Sequence, residues 1–245
     1  MSDGIYSALS GAIAQQRALD VVANNVANAG TVGYRGDTVA FREAVSRETA
    51  GPNPDGLRYV SVAQQSTDQS DGPLIQTGNP LDLALQGDGL FALQTDNGVR
   101  YTRAGSFRMD PEGVIRSSGG HVLMDAGAPD PSQAEIRIPP EATEILVGTD
   151  GTVTADGQEV GRIRIESFDQ RSLTKEGLTM YAARGQGEPA EAQVSQGYLE
   201  GANVSPVGGM NQLISTSRAF EAFQRVIQAF RQIDERAARD VGSNR

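Results

Sequence analysis

The sequence feature that most constrains the fold is a seven-residue apolar repeat at each end of the chain. Residues 4–29 contain no proline and place apolar side chains seven positions apart, at Ile5, Ala12, Leu19 and Val26. Residues 206–238 repeat the pattern with bulkier side chains, in one row of Leu213, Phe220 and Ile227 and a second row of Phe223 and Phe230. This period predicts two amphipathic helices that pair along a coiled-coil seam.

The side chains of the two repeats differ in size, which favours their pairing. Ala8, Ala12 and Val22 give the first helix a narrow face, and small residues let helices approach closely. The phenylalanines of the second helix can fill the remaining space. Gly30 is a plausible end of the first helix, and Ser205 is a suitable N-cap for a helix that begins at Pro206.

Between the two repeats the helical period disappears and short β-rich runs take its place. Turn signals such as Asn97-Gly98, Asp110 to Gly113, Asp150-Gly151 and Asp156-Gly157 separate these runs. The runs are 57–62, 81–85, 90–93, 99–102, 114–116, 121–124, 135–138, 144–147 and 161–168. Short strands at regular spacing predict an all-β domain.

The predicted fold class is therefore α+β, with terminal helices paired as a coiled coil and a central all-β domain. The predicted domains are an N-terminal helix with an Asn-rich motif at 1–35, a linker at 36–56, the β domain at 57–198 and a C-terminal helix at 199–245. The linker contains Pro52 and Pro54, which disfavour regular structure.

Composition excludes several classes of function. The chain has no cysteine and one histidine, His121, so disulfides and the usual Cys or His metal sites are not expected. Its formal net charge is −10, which disfavours binding to nucleic acid. No apolar run approaches the ~18 residues that a membrane span needs. Residues 1–4 lack a basic, then apolar, signal sequence, so we expect no cleaved signal peptide and no membrane insertion.

Catalytic and cofactor motifs are weak. Residues 185–190 match a G-x-G-x-x-A string, but Pro189 interrupts it and no helical pattern follows. Asp110 and Glu112 could form a carboxylate pair, yet they lie in a predicted hairpin turn. His121 is better explained as a strand residue. We therefore expect no enzymatic activity, no cofactor and no metal ion.

Four sequence blocks resemble the bacterial flagellar rod and hook protein family. They are LDVVANNVANAGTVGYR (19–35), LDLALQGDGLF (81–91), YTRAGSF (101–107) and QGYLEGANV (196–204). Each block alone is suggestive. Because the four stand in the expected order and span nearly the whole chain, the set is specific.

The resemblance implies a structural subunit of the flagellar basal-body rod. Such subunits are exported unfolded through the flagellar type III export apparatus without a cleaved signal. They stack helically, with copies of themselves and neighbouring rod proteins, into a hollow drive shaft that crosses the periplasm. Their terminal helices line the tube and the β domain lies outside. The short chain is similar to proximal-rod members, and the usually longer distal-rod members are the alternative.

Two other classes of function stay open from the residues themselves. One is a β-domain adhesin or binding module with helical tails. The other is a cell-wall hydrolase, for which no motif in the sequence gives support.

The candidate subunit interface combines the apolar seam with the Asn-rich block. Asn24, Asn25 and Asn28 either cap the first helix or, as the resemblance favours, hydrogen-bond across the subunit seam and fix its register. Tyr34 and Arg35 follow the Gly33 turn and could anchor the chain on an adjoining subunit, although Arg35 could equally be solvated. The full candidate set is Ile5, Leu9, Ala12, Leu19, Val22, Asn24, Asn25, Val26, Asn28, Gly33, Tyr34, Leu213, Phe220, Phe223, Ile227 and Phe230.

Overall fold

The computed structural model describes residues 2–46, 57–128 and 134–242 and divides the chain into two compact units. The first, which we call the helical unit, consists of Met1–Ala27, Asp37–Thr67 and Ser205–Arg245. The second, the β unit, consists of Asn28–Gly36 and Asp68–Val204. The fold is α+β with a helix at each end and strands between them, as the sequence predicts.

Two long helices form most of the helical unit. Helix α1 spans Ser2–Ala27 and helix α2 spans Pro206–Gly242. Ser205 caps α2 as predicted, because its Oγ accepts a hydrogen bond from Gly208 N at 3.3 Å. Helix α1 ends before the expected Gly30, because Asn28 begins a turn in which its carbonyl accepts Thr31 N at 2.9 Å.

A two-stranded antiparallel hairpin completes the helical unit. Strand β1 (Asp37–Ser46) pairs with β2 (Leu57–Thr67), with a register shift between Ala40 and Phe41. Both strands pack against α1, which supplies the partner that an isolated hairpin needs for stability. Of the predicted linker 36–56, residues 37–46 thus form a strand and residues 47–56 lie outside the described residues.

The β unit is built from short strands in four sheets. The strands are β3 (Leu74–Gln76), β4 (Leu83–Gln86), β5 (Leu90–Thr95), β6 (Gly98–Thr102), β7 (Phe107–Met109), β8 (Ile115–Ser117), β9 (Val122–Leu123), β10 (Ile145–Val147), β11 (Thr152–Ala155), β12 (Gln158–Arg162), β13 (Ile165–Ser167), β14 (Leu173–Glu176), β15 (Met180–Ala183), β16 (Glu188–Pro189), β17 (Gln193–Gln196) and β18 (Tyr198–Glu200). The largest sheet has the order β14-β15-β6-β5-β9-β8-β7, with β13 joining β5 and β16; the other sheets are β10-β11-β12, β17-β4 and β18-β3. A 3-10 turn at Gln170–Ser172 precedes β14.

The predicted turns position these strands. Asp156 and Gly157 both have positive φ, 49° and 80°, in the two-residue turn between β11 and β12. Such a turn matches the twist of a hairpin and favours Asp-Gly. The run predicted at 135–138 is not a continuous strand, because Glu135 and Arg137 form isolated bridges only.

The core of the β unit lies between the sheets. Phe91 and Phe107 meet edge to face with centroids 5.3 Å apart, surrounded by buried aliphatic residues such as Leu83 and Ile136. A smaller cluster contains Tyr101, Tyr181 and Met124 on the other face of β5. Over the described ranges, neither helix has an apolar stretch long enough to cross a membrane.

Candidate subunit interface

The two helices pack antiparallel, and glycines allow their close approach. A Cβ atom added to Gly4 would lie 2.8 Å from Phe230 Cζ, and one added to Gly11 would lie 2.5 Å from Phe223 Cε1. At the other end, a Cβ on Gly209 would lie 2.5 Å from Val26. The sequence predicted small residues opposite large ones, but it missed Gly4 and Gly11. The available signal was that they stand seven residues apart, like the phenylalanines they face.

The less exposed residues of α2 follow the predicted heptad spacing. Seven of them are separated alternately by four and three positions, namely Gly209, Leu213, Thr216, Phe220, Phe223, Ile227 and Phe230, whereas Ser217 and Ala219 lie outside this spacing. On α1, Ala8, Ala12 and Val22 are buried, whereas Ile5, Leu19 and Val26 are half-buried. Of the predicted interface residues, Val26, Phe223 and Phe230 lie against glycines of the opposite helix of the same chain.

A second set of apolar side chains on the helices remains exposed. On α1, Tyr6, Leu9 and Ile13 follow helical spacing and are 44–55% exposed. On α2, the corresponding residues are Val207, Met210, Ile214, Val226 and Ile233, which are 43–71% exposed. We call these residues the exposed apolar rows. Of the predicted interface residues, only Leu9 belongs to them. Grouped apolar exposure of this kind is typical of a protein–protein contact.

The three asparagines have different surroundings. Asn25 makes two hydrogen bonds with the backbone of Asp37: its Nδ2 donates to Asp37 O at 2.8 Å, and its Oδ1 accepts from Asp37 N at 2.9 Å. It thereby ties the end of α1 to the start of β1. Asn28 is buried in the turn after α1, and Asn24 is exposed. Asn25 thus acts within the chain, and for Asn24 and Asn28 both capping and a contact across the subunit seam stay predictions.

Tyr34 and Arg35 lie inside the β unit, which corrects the prediction that they reach an adjoining subunit. Tyr34 is 1% exposed, and the Nζ of Lys175 lies 4.4 Å from the centre of its ring. The same ammonium donates to Arg35 O at 2.8 Å. Arg35 is 3% exposed, so the solvated alternative is also wrong. Gly33, with φ 66°, is buried too and donates to Glu200 O at 2.8 Å.

Arg35 belongs to a cluster of four charged residues, three of them buried, which we call the buried charged cluster. Its Nη2 lies 2.8 Å from Asp71 Oδ1 and 3.4 Å from Glu200 Oε1. Arg103 Nη1 contacts the same acids, at 3.6 Å and 3.2 Å. Burial lowers the pKa of Arg103 and the neighbouring Arg35 lowers it further, whereas Glu200 and Asp71 act in the opposite direction. The positive charges of two arginines thus balance the negative charges of two carboxylates, and three of these four side chains are shielded from water.

This buried cluster joins the four sequence blocks. Arg103 Nη2 donates to Gly87 O at 2.6 Å, which links the third block to the second. Glu200, in the fourth block, pairs with Arg103 and with Arg35 of the first block. The sequence identified the blocks, but it did not predict that they meet. Arg103 and Glu200 were missed, although each is a lone charge in a block of mostly small, apolar or uncharged residues.

Asn203 binds together three places where the chain leaves the β unit. Its Oδ1 accepts from Gly36 N at 2.8 Å, and its Nδ2 donates to Asp68 O at 3.1 Å. Asp68 N in turn donates to Gly36 O at 2.8 Å. Gly36, Asp68 and Asn203 lie at or next to three of the four points where the chain crosses between the β unit and the helical unit. The side chain therefore fixes the spacing of three connecting segments.

The acidic side chains that could suggest catalysis have structural partners. Asp110 accepts hydrogen bonds from Arg116 Nε and from the Val114 backbone, and these hydrogen bonds lower its pKa. Its carboxylate therefore holds the hairpin turn together. Glu166 lines a cleft of about 560 Å³, where it accepts the Tyr101 hydroxyl at 2.8 Å and pairs with Arg164. Across the described parts of the chain, no group of acidic or histidine side chains has the arrangement of a metal site.

Three family models match this chain. They are described as the flagellar hook protein FlgE/F/G D1 domain, over residues 84–155, the flagellar basal body rod FlgEFG protein C-terminal, over 195–240, and the flagella basal body rod protein, over 5–35. Together they cover the first, third and fourth sequence blocks in full and most of the second.

Full-length relatives were also found among characterised proteins. The flagellar basal-body rod protein FlgF of Mesorhizobium japonicum is 34% identical over 99% of both chains, and that of Caulobacter vibrioides is 32% identical over 99% of both. The rod protein FlgG of Bacillus subtilis is 31% identical over 93% of this chain and 94% of its own length.

Proposed function

Because the chain belongs to the flagellar basal-body rod protein family, we propose that it is a structural subunit of the proximal rod. The observation that carries this proposal is the match along the full length to rod proteins named FlgF. A distal-rod role is the second candidate, since a protein named FlgG matches almost as much of the chain. In either position the subunit adds to a helical stack, which is what repeated head-to-tail contacts produce when the rotation does not close.

The helix pair is well suited to form a stiff coiled-coil wall of such a tube. The alternating spacing of the half-buried residues on α2 is that of a heptad seam. Gly4 and Gly11 bring the helix axes close together, and Phe230 and Phe223 fill the space. Because closely packed interiors resist deformation, this seam would transmit torque from motor to hook with little bending.

The exposed apolar rows are the surface that we assign to contacts between subunits. Leu9 lies in the row on α1, and Met210 and Ile214 lie in the row on α2. Helices of adjacent copies would bury the exposed half of each of these side chains, which contributes roughly 0.7–1.5 kcal/mol apiece. The residues of the intramolecular seam, including Ala12 and Phe223, would support the contact by holding both rows in place. Asn24 is exposed near the end of α1 and stays a candidate for a polar contact that fixes register.

The buried charged cluster and Asn203 have a supporting role in this proposal. They fix the ends of the segments that connect the β unit to the helical unit. Three of the four segments that connect the two units therefore start from fixed positions in the β unit. We also propose that the chain is exported through the type III apparatus without a cleaved signal. It would then lie in the periplasmic rod and contact neighbouring rod proteins.

A deletion strain complemented with variants tests the proposal. Deletion should abolish rod, filament and swimming, and the unaltered gene should restore them. Leu9→Asp should leave folding and export intact but reduce swimming strongly, because it buries a charge in the subunit contact. Ser7→Asp is the matched control, since Ser7 is exposed on α1 but outside the apolar row.

Other outcomes would favour the alternative functions. Normal swimming after deletion would contradict the rod role and favour an adhesin or binding module. Release of soluble fragments from purified peptidoglycan would favour a wall hydrolase. Normal swimming with Leu9→Asp would contradict the assigned subunit surface alone.

A further inference from the structure

The net charge of the chain is confined to one of its two units. The helical unit contains 10 acidic and 10 basic residues, so its formal charge is zero. The β unit contains 21 acidic and 11 basic residues, so it carries the whole net charge of −10. The boundary between the units therefore separates a neutral part of the protein from a strongly anionic part.

The excess charge lies at the surface of the β unit. The buried acids Glu166 and Glu200 both pair with arginines. By contrast, many carboxylates are exposed, among them Asp96, Glu141, Glu159 and Glu191. The helical unit instead exposes the apolar rows. Attraction between copies and repulsion between copies thus come from different units.

We propose that this separation regulates self-association through ionic strength. The partner is a second copy of the chain, which docks through the neutral helical unit, so the inference rests on the proposed function. Each copy carries its β unit with it, and two such units repel each other. Copies therefore stay apart where charge is poorly screened and associate where salt or a cationic surface neutralises the β units.

The size of the effect follows from screening. The Debye length is about 30 Å at 0.01 M salt and about 8 Å at 0.15 M, so the repulsion between β units acts over a domain diameter only at low salt. We expect association to tighten on the order of tenfold between these two conditions. Hydrophobic contact between the helical units changes little over the same range.

Charge variants of the β unit provide the test. Asp96→Asn, Glu141→Gln, Glu159→Gln and Glu191→Gln together change its charge from −10 to −6. Because repulsion scales with the square of the charge, roughly a third of it remains, and the tenfold salt effect should shrink to about twofold. The control carries Asp96→Glu, Glu141→Asp, Glu159→Asp and Glu191→Asp, which keep the charge and should match the unaltered protein.

Self-association of the full chain is measured by sedimentation equilibrium and by the second virial coefficient from light scattering, at 10 and 150 mM NaCl. A third variant, Asn97→Asp, Gln158→Glu and Gln186→Glu, adds three charges and should enlarge the salt effect to roughly 50-fold. An unchanged salt dependence in both charge-altered variants, or association that weakens with salt, overturns the inference but leaves the rod role intact. Absence of self-association under every condition overturns the inference together with self-assembly.

Discussion

Replacing Arg103 with methionine should destabilise the β unit more than any surface substitution. The guanidinium is 2% exposed and contacts Glu200 at 3.2 Å, Gly87 O at 2.6 Å and Leu85 O at 3.3 Å. Arg103→Met removes these donors and leaves Glu200 with Arg35 as its remaining basic partner. Breaking a buried ion pair from one side costs about 3–5 kcal/mol, because a charge stays buried without full compensation.

Hydrogen exchange of the β5 amides is a suitable assay. Ala92 and Leu93 lie in the core of the β unit, so their slowest exchange reports its global opening and not that of the helical unit. The control is Arg137→Met, the same substitution at an exposed ion pair. The Arg137 side chain is 70% exposed, and its Nη2 lies 2.9 Å from Glu135 Oε2. An exposed pair contributes about 0–1 kcal/mol.

The comparison of the two variants has a clear refuting result. If Arg103→Met lowers the free energy of opening by less than about 1 kcal/mol, the four blocks do not depend on the cluster for their association. A second variant, Arg103→Lys, keeps the charge but not the geometry of several fixed donors. It should fall between Arg103→Met and the unaltered protein.

Three further predictions concern single side chains. Asn25→Ala should lower the stability of the β1–β2 hairpin by about 1–3 kcal/mol, because Asp37 N and O lose their partners. Faster hydrogen exchange of the β1 amides would show this loss, and unchanged exchange would refute it. The pKa of Asp110 is lowered by hydrogen bonds, so its contribution to stability is full above about pH 4 and is lost as pH falls through the lower folded value; Asp110→Asn should abolish this acid dependence in pH-dependent unfolding experiments. Burial and Glu166 raise the pKa of Tyr101, so this tyrosine keeps its proton above pH 10 in the folded state and its contribution to stability is lost as pH rises further. Ultraviolet titration should show less tyrosine ionisation near pH 10 than in the unfolded chain, and Tyr101→Phe should reduce the amplitude of the late step by one tyrosine.

The sequence by itself determined the two terminal helices and the β character of the region between them, whereas strands such as β1, β14 and β15 lie outside the predicted runs. Heptad spacing specified both terminal helices, because apolar residues at this period must face a partner. Asp-Gly and Asn-Gly pairs specified hairpins, because few other residues accept positive φ in these turns. The sequence also identified the protein family from four blocks, and full-length relatives confirm it.

The tertiary structure alone decided what the blocks do. The sequence pattern predicted that Tyr34 and Arg35 lie at the surface, yet both are buried. Arg35 is paired with Glu200, which is 165 residues away along the chain and next to it in space. Long-range pairing of charges leaves no local period, so no spacing rule could predict it. For the same reason the glycine contacts of Phe223 and Phe230 and the role of Asn203 appeared only once distant segments were brought together.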